Sequence, residues 1–401
     1  METLKFLFTS SFYPPYHLGG DADHVRYLAE ELASRGHEVH VLHSLDAYRV
    51  KRRGSPVRSE SHGVITHPIE TRFSRSAYEA YVFGNSRRVI KQFRTLVQGV
   101  APDVVHHHNI SLLGYKILER QGRYPNLYSA HDYWVICPRS NLLKNGKEIC
   151  DRPSCTICGL HFRRPPQLWR RNPRFEKAIE GLDVFVASSN YAKETIAHRL
   201  AVKPIVIPNF VPDPPCSIPS SGFSNFFLFV GTLEKHKGAL QLIEAFKEST
   251  NRTESKLIIV GSGSLEGTIR NQIQKHGLQD RILIFNWMEL DLIYRLLNDS
   301  IALIVPSIWP ENCPLISLQA LSVGTPVIAS KIGGNPEIVE RLDARLLYGS
   351  KAELIGILDS FGQYSPDFVR RVYEDHYSPR VFMRRYKDLV NGSRRRSDCN
   401  E

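Results

Sequence analysis

Apolar residues recur along this chain in two alternating rhythms. Short runs rich in apolar residues (Leu4 to Thr9, Glu38 to Leu42, Asn126 to Ala130, Phe226 to Val230, Lys256 to Val260 and Ile282 to Met288) have the length and the β-branched and aromatic content of buried strands. Between several of them, apolar residues return every three or four positions. Val25, Leu28, Ala29 and Leu32 form such a stripe after the first run, and Gly36 is placed to cap the helix that carries it. Leu240, Ile243 and Phe246 form another, on a helix beginning near Gly238. The turn after Lys256–Val260 holds Ser262 and Ser264, either of which suits a helix N-cap. Strand alternating with helix predicts the α/β class, whose ligands gather at the carboxyl ends of parallel strands.

A chain of 401 residues exceeds one ordinary domain and suits two. The Pro-rich stretch 207–222 is the expected linker. It separates an amino-terminal domain, 1–206, from a carboxyl-terminal domain, 223–376. The remaining segment, 377–401, is expected to hold a helix returning to the amino-terminal domain, with a disordered tail from Ser393.

Charge sharpens this division. Residues 1–210 hold 30 basic and 19 acidic side chains, a surplus of 11, whereas 211–401 hold 22 of each, so all of the net +11 lies in the amino half. Arg72, Arg75, Arg87, Arg88, Lys91 and Arg94 alternate with Phe73, Tyr78, Tyr81 and Phe83 in a pattern suited to an interfacial helix. Arg163, Arg164, Arg170, Arg171 and Arg174 flank Trp169 in a second basic patch. These features imply an anionic partner molecule or an anionic membrane surface. No nucleic-acid-binding module accompanies them, so nucleic acid is not an expected partner. Neither a bilayer-spanning apolar run nor a cleavable signal is found, which leads us to expect a cytoplasmic protein with at most peripheral contact on the inner face of a membrane.

The candidate chemistry concentrates at Pro306–Val339. Glu311 and Gln319 stand eight residues apart, two helical turns plus about 80°, so if Pro314 opens a helix both side chains project to one side of its amino-terminal end. That end offers unpaired N–H groups to a diphosphate. Lys237 stands at the turn before the helix near Gly238. Gly19 and Gly20 allow close backbone approach in the loop after the first strand. Gly261, Gly263 and Gly267 give GxGxxxG, which is an incomplete dinucleotide fingerprint and reads as one more strand-to-helix turn. His131 follows the strand Asn126–Ala130. The run His106 to Asn109 ends another strand, and successive side chains on a strand face opposite ways, which disfavours a metal triplet. Cys137, Cys150, Cys155 and Cys158 crowd into one segment with a single CxxC spacing. A structural zinc, an iron–sulfur cluster and free loop thiols all remain open.

The segment Pro306–Val339, with Lys237 and the His131-Asp132-Tyr133-Trp134 run followed by Cys137-Pro138, resembles glycosyltransferase family 4. Its members are retaining enzymes of the GT-B fold, two Rossmann-like parallel-sheet domains facing across a cleft. The resemblance covers nearly the whole chain, and the His-Asp-Tyr-Trp segment matches a bacterial and archaeal branch. It implies a nucleoside diphosphate sugar donor on the carboxyl-terminal domain and a glycan or lipid-linked acceptor on the amino-terminal one, with no cofactor required for catalysis. It also implies that Glu311 orients the sugar, Gln319 bonds the ribose, and Asn312, Pro314 and Leu315 line the donor. Gly19 and Gly20 would face the phosphates, Asn286 and Trp287 the base, and His131 the reacting region.

Two positions depart from the family pattern. Its second motif glutamate is Gln319 here, and Thr232 replaces the arginine that partners Lys237 at the diphosphate. A neutral amide still bonds a hydroxyl, whereas a lost cation weakens a phosphate site. These departures keep a non-catalytic sugar-nucleotide-binding protein in view. A nucleotide-sugar epimerase shares the fold, as does a phosphorylase, whose pyridoxal-lysine motif is missing from the sequence.

Overall fold

The computed structural model describes residues 2–16, 18–51, 61–146, 148–249 and 255–398. They form two units. The first takes Met1–Asn141, Arg152–Pro208 and Met383–Glu401, and the second takes Leu142–Asp151 and Asn209–Phe382. The chain changes unit at four places, of which only Pro208 to Asn209 lies in the Pro-rich stretch 207–222, whose residues carry neither helix nor strand; the hairpin segment Leu142–Asp151 falls outside the expected division.

Five strands open the chain: β1 (Lys5–Ser10), β2 (Glu38–Ser44), β3 (Ile65–Ile69), β4 (Val104–His107) and β5 (Asn126–Ala130). A short antiparallel hairpin, β6 (Leu143–Lys144) and β7 (Glu148–Ile149), belongs to the second unit. With β8 (Val184–Ala187) and β9 (Ile205–Val206), the first five build a parallel sheet in the order β3-β2-β1-β4-β5-β8-β9. Every residue of β4, β5 and β8 is buried, because helices cover both faces of a parallel sheet. Val89, Phe93 and Val97, from the helix Arg87–Val100, pack with Leu7, Val105 and Tyr128 in that core. Burying each such side chain contributes on the order of 2 kcal/mol.

The second sheet repeats this plan. It contains β10 (Phe226–Val230), β11 (Lys256–Val260), β12 (Ile282–Phe285), β13 (Ala302–Val305), β14 (Val327–Ser330) and β15 (Leu347–Tyr348), all parallel, in the order β12-β11-β10-β13-β14-β15. In each sheet the strand order reverses once, between β1 and β4 and between β10 and β13. Loops leaving the carboxyl ends of those strands diverge and leave a crevice for a ligand.

The helix Gly20–Ser34 buries Val25, Leu28, Ala29 and Leu32, the expected stripe. It ends where Gly36 turns to a φ of 85°, with the Gly36 N–H donating to the Ala33 carbonyl at 3.0 Å. The helix Ala239–Glu248 buries Leu242, Ile243 and Phe246, so Leu242 takes the innermost place expected of Leu240, which is half-buried. The run Ile282–Met288 is strand only as far as Phe285.

Neither Ser262 nor Ser264 caps the helix Glu266–Lys275. Leu265 is its N-cap, and the Ser264 hydroxyl donates instead to Glu234 at 2.7 Å. The basic and aromatic segment from Arg72 is not one helix. It divides into a turn at Arg72–Ser74 and the helices Arg75–Phe83 and Arg87–Val100, broken at Gly84, which has a φ of 71°. A Cβ there would lie 2.6 Å from Tyr115 and 2.8 Å from Trp169, so the break is fixed by packing. The expected tail is also different: Ser393 to Asp398 continue the helix Pro379–Asp398, and Cys399 to Glu401 lie outside the described residues. Within the first unit Tyr386 bonds His106, and Arg394 pairs with Glu2 at 2.9 Å, which anchors that helix.

Candidate active site

The second unit builds its candidate site at the carboxyl ends of β10 and β13, on either side of the strand reversal. After β10 the chain turns through Lys235–Lys237, and after β13 it passes from Pro306 to Glu311. Two glycines hold these loops together. A Cβ on Gly238, whose φ is 76°, would fall 1.8 Å from the Pro306 carbonyl oxygen, and one on Gly333, φ 67°, would fall 2.4 Å from that of Glu311. No side chain fits either position without moving the loop. The Ile308 N–H donates to the His236 carbonyl at 2.9 Å, and the Gly334 N–H to the Glu311 carbonyl at 2.6 Å.

Glu311 is therefore delivered into a prepared setting. Its Oε1 accepts from Lys237 Nζ at 2.7 Å, Ser307 Oγ at 2.7 Å and Trp309 Nε1 at 2.8 Å. The carboxylate is 7% exposed and the lysine 26%. Burial pushes the Glu311 pKa up, yet the Lys237 charge and the three hydrogen bonds outweigh it and hold the group below the ordinary glutamate range. Trp309 completes the cluster, with the Lys237 ammonium 5.2 Å from its ring centroid and the His236 ring edge-on at 5.6 Å. All three donors meet Oε1, so Oε2 is the oxygen left to address a ligand.

Beyond Glu311 the chain enters the helix Leu315–Ser322. Pro314 is its N-cap, with extended ψ of 121°, and so stands one residue outside the first turn in which it was expected. Asn312 and Gln319 are buried on this segment. Thr232 is exposed on the loop after β10, while Asn286 and Trp287 are exposed past the end of β12, two strands from β10. Lys237 and Glu311 are thus brought into contact, with Asn312, Leu315 and Gln319 on the adjoining helix start. Ser307 and Trp309 were not expected from sequence, since a serine and a tryptophan beside a glutamate read as ordinary loop.

In the first unit the corresponding edge collects histidines and carboxyls. Gly19 (φ 83°) and Gly20 end the loop after β1, His108 follows β4, and His131 follows β5. The His108 Nδ1 and His131 Nε2 are hydrogen-bonded at 2.9 Å, with rings stacked at 5.2 Å, and the His24 ring lies 5.1 Å from that of His131. Burial drives the His131 pKa down to about 4. His108 lies well below the usual range, first through burial and then through the neighbouring His106 and His131. The His108 and His131 rings are neutral at physiological pH and act as hydrogen-bonding groups. Beside them, Asp132 is pushed up to about 7, chiefly by burial, with the Trp134 N–H pulling the other way and Asp21 adding to the rise. Asp21 is itself raised by burial, while a bond from Asn109 opposes the rise. His108 and Asp21 were also missed from sequence, because their proximity to His131 and Asp132 exists only in the fold.

The other consecutive histidines are structural, as their alternation implied. His106 bonds Tyr386 at 2.9 Å and Ser129 at 2.8 Å, and His107 bonds Thr9 at 2.7 Å and Asn126 at 2.9 Å. Cys137, Cys150, Cys155 and Cys158 form no disulfide. Among the described residues no three His, Cys, Asp or Glu side chains are arranged to hold a metal, so the four are not gathered as the candidate zinc or iron–sulfur set requires. Cys137 closes a turn on Tyr133, Cys150 follows the hairpin, and Cys155 and Cys158 ride one short helix.

The family model described as Glycosyltransferase Family 4 matches residues 18–213, and that described as Glycosyl transferases group 1 matches residues 218–357. An uncharacterized glycosyltransferase of Methanocaldococcus jannaschii is 30% identical over 357 residues, which is 84% of this chain and 83% of that protein. The UDP-Gal:alpha-D-GlcNAc-diphosphoundecaprenol alpha-1,3-galactosyltransferase of Escherichia coli is 35% identical over 118 residues, 28% of this chain and 30% of its own length. Among solved structures, Anabaena HepE in complex with UDP and glucose matches with a TM-score of 0.67 at 17% identity, over 97% of this chain and all of that one, a likeness of fold.

Proposed function

The chain belongs to glycosyltransferase family 4, with the GT-B fold, and on that premise we propose that it is a retaining enzyme. It carries a hexosyl or related sugar from a nucleoside diphosphate sugar to a glycan precursor or a lipid-linked acceptor. The observation that carries this reading is the Lys237–Glu311 pair at the carboxyl edge of the second sheet, one turn ahead of a helix N-terminus. As the bond from the anomeric carbon to the diphosphate breaks, negative charge grows on the leaving oxygen. The Lys237 ammonium and the open N–H groups of the helix Leu315–Ser322 would stabilise it there. Glu311 Oε2 would accept from sugar hydroxyls, the Gln319 amide would bond the ribose, and neutral His131 would serve the reacting region.

Two further facts support the donor and acceptor classes. HepE was solved with UDP and glucose, and the Escherichia coli relative is named for a diphosphoundecaprenol acceptor. The deciding experiment is a panel of labelled sugar nucleotides incubated with the protein and a membrane lipid extract, with the anomeric configuration of the product read by NMR. Transfer with retained configuration is expected. A donor that binds and is never consumed would make this a binding protein, and a donor converted without any acceptor would make it an epimerase.

A further inference from the structure

Six of the twelve large hydrophobic side chains exposed among the described residues fall in two short stretches of the first unit. Phe73, Tyr78 and Phe83 lie on or beside the helix Arg75–Phe83. Ile157 and Leu160 lie on the helix Cys155–His161, and Leu168 opens the turn Leu168–Arg171. Single exposed apolar residues are normal on any surface, whereas a concentration of this size marks a contact. Phe73 is 81% exposed, Ile157 71% and Leu168 65%.

The two stretches are remote in sequence and adjoin in space. Trp169, inside the Leu168–Arg171 turn, donates through Nε1 to the Tyr81 carbonyl at 3.0 Å, which ties that turn to the first helix. Arg171 donates to Thr156 Oγ1 at 3.3 Å, which ties the same turn to the second. Cations accompany the apolar side chains throughout. Arg72 lies over the Phe73 ring at 4.8 Å, and Arg163 and Arg171 are exposed.

From this surface we infer that the first unit docks on an anionic lipid bilayer, with the aromatic and aliphatic tips entering the interface and the arginines meeting headgroup phosphates. The occupant is assigned by charge. A surface carrying this many arginines repels a second copy of itself, and its apolar tips have no use for free phosphate. This inference stands apart from the sugar-transfer reading, since it needs neither donor nor acceptor.

The test is co-sedimentation of the full chain with vesicles of phosphatidylcholine, with and without phosphatidylglycerol. Binding is expected to the anionic vesicles, about tenfold weaker or more to the neutral ones, and weakened by salt. Replacing Phe73→Ser, Ile157→Ser, Leu160→Ser and Leu168→Ser together should lower the anionic-vesicle affinity about tenfold or more, and so should Arg72→Gln with Arg163→Gln. Since these side chains are exposed, thermal melting should be unchanged, which separates lost docking from lost fold. Unaltered vesicle binding in the serine variant would overturn the inference. So would sedimentation velocity showing a dimer that the serine changes dissolve while lipid affinity stays the same, because the surface would then belong to a second copy.

Discussion

Lys237→Met is the most direct probe of the candidate site, because it removes the only charged partner that Glu311 has among its three Oε1 donors. The buried carboxylate keeps two neutral donors and loses its compensating charge. Breaking a buried pair from one side costs about 3 to 5 kcal/mol, and the lower figure applies here because Lys237 keeps some solvent contact. The pH dependence fixes the sign. In the parent, Glu311 lies below its ordinary 4.5, so its contribution is present above that pH and is lost only as the pH falls through the lower folded value. In the variant, burial acts without the ammonium and raises the pKa above 4.5, so the stability deficit is full at neutral pH and shrinks on acidification. Urea denaturation at a series of pH values reads this on the transition of the second unit. Adding Glu311→Gln should restore most of the lost stability by removing the uncompensated charge, while sugar transfer stays down by on the order of 10²-fold. A Lys237→Met protein with the parent's stability at neutral pH, or a double variant whose losses simply add, would refute the reasoning.

Other measurements follow from the same geometry. Burial drives His43, His107 and His131 down to about 4, 3 and 4 from 6.5, so below pH 6.5 the unfolded chain takes up protons that the first unit refuses, and stability should fall towards about pH 4 by on the order of 3 kcal/mol for each. Far-ultraviolet circular dichroism against pH checks this, and a flat curve between pH 7 and 5 contradicts it. His108→Phe keeps ring volume and removes the bond to His131 Nε2, so kcat should drop about tenfold with donor KM little changed; an equal rise in KM would mean a binding role instead. Gly333→Ala forces a Cβ against the Glu311 carbonyl and should cost about 2 kcal/mol together with most of the activity, as read by urea denaturation and transfer assay. Gln319→Glu restores the family residue at a buried position, and its melting temperature should fall as pH rises and recover on adding donor.

Much of this was legible in the sequence where a short-range signal existed. The apolar runs of β1, β10 and β11, the Gly36 stop and the Val25–Leu32 stripe follow from periodicity and turn chemistry alone. Lys237 and Glu311 were each visible as candidates, but 74 residues separate them and only strands β10 and β13 lying side by side makes them a pair. The run after Ser393 read as a solvated tail because arginines crowd it, yet buried Tyr386 and Val390 fix the helix one to two turns earlier. In the same way, the break at Gly84 is set by Tyr115 and Trp169, side chains that local propensity cannot see.

The two sheets reverse strand order in the same way, so under the proposed function fold alone does not choose between them for the diphosphate. The charged groups favour the second. At the carboxyl edge of the first sheet the polar groups are enclosed, and burial leaves His108 and His131 neutral and lifts Asp132 to about 7 against the opposing charge of Arg170, so the histidines there offer a phosphate no positive charge. At the corresponding edge of the second sheet, Lys237 keeps some solvent contact while bonding Glu311, and the helix Leu315–Ser322 adds its N-terminal dipole. The arginine surplus of the first unit does not alter this comparison. Arg72, Arg163 and Arg171 are exposed in the stretches that carry Phe73, Ile157 and Leu168, where they suit a charged surface rather than a single leaving group.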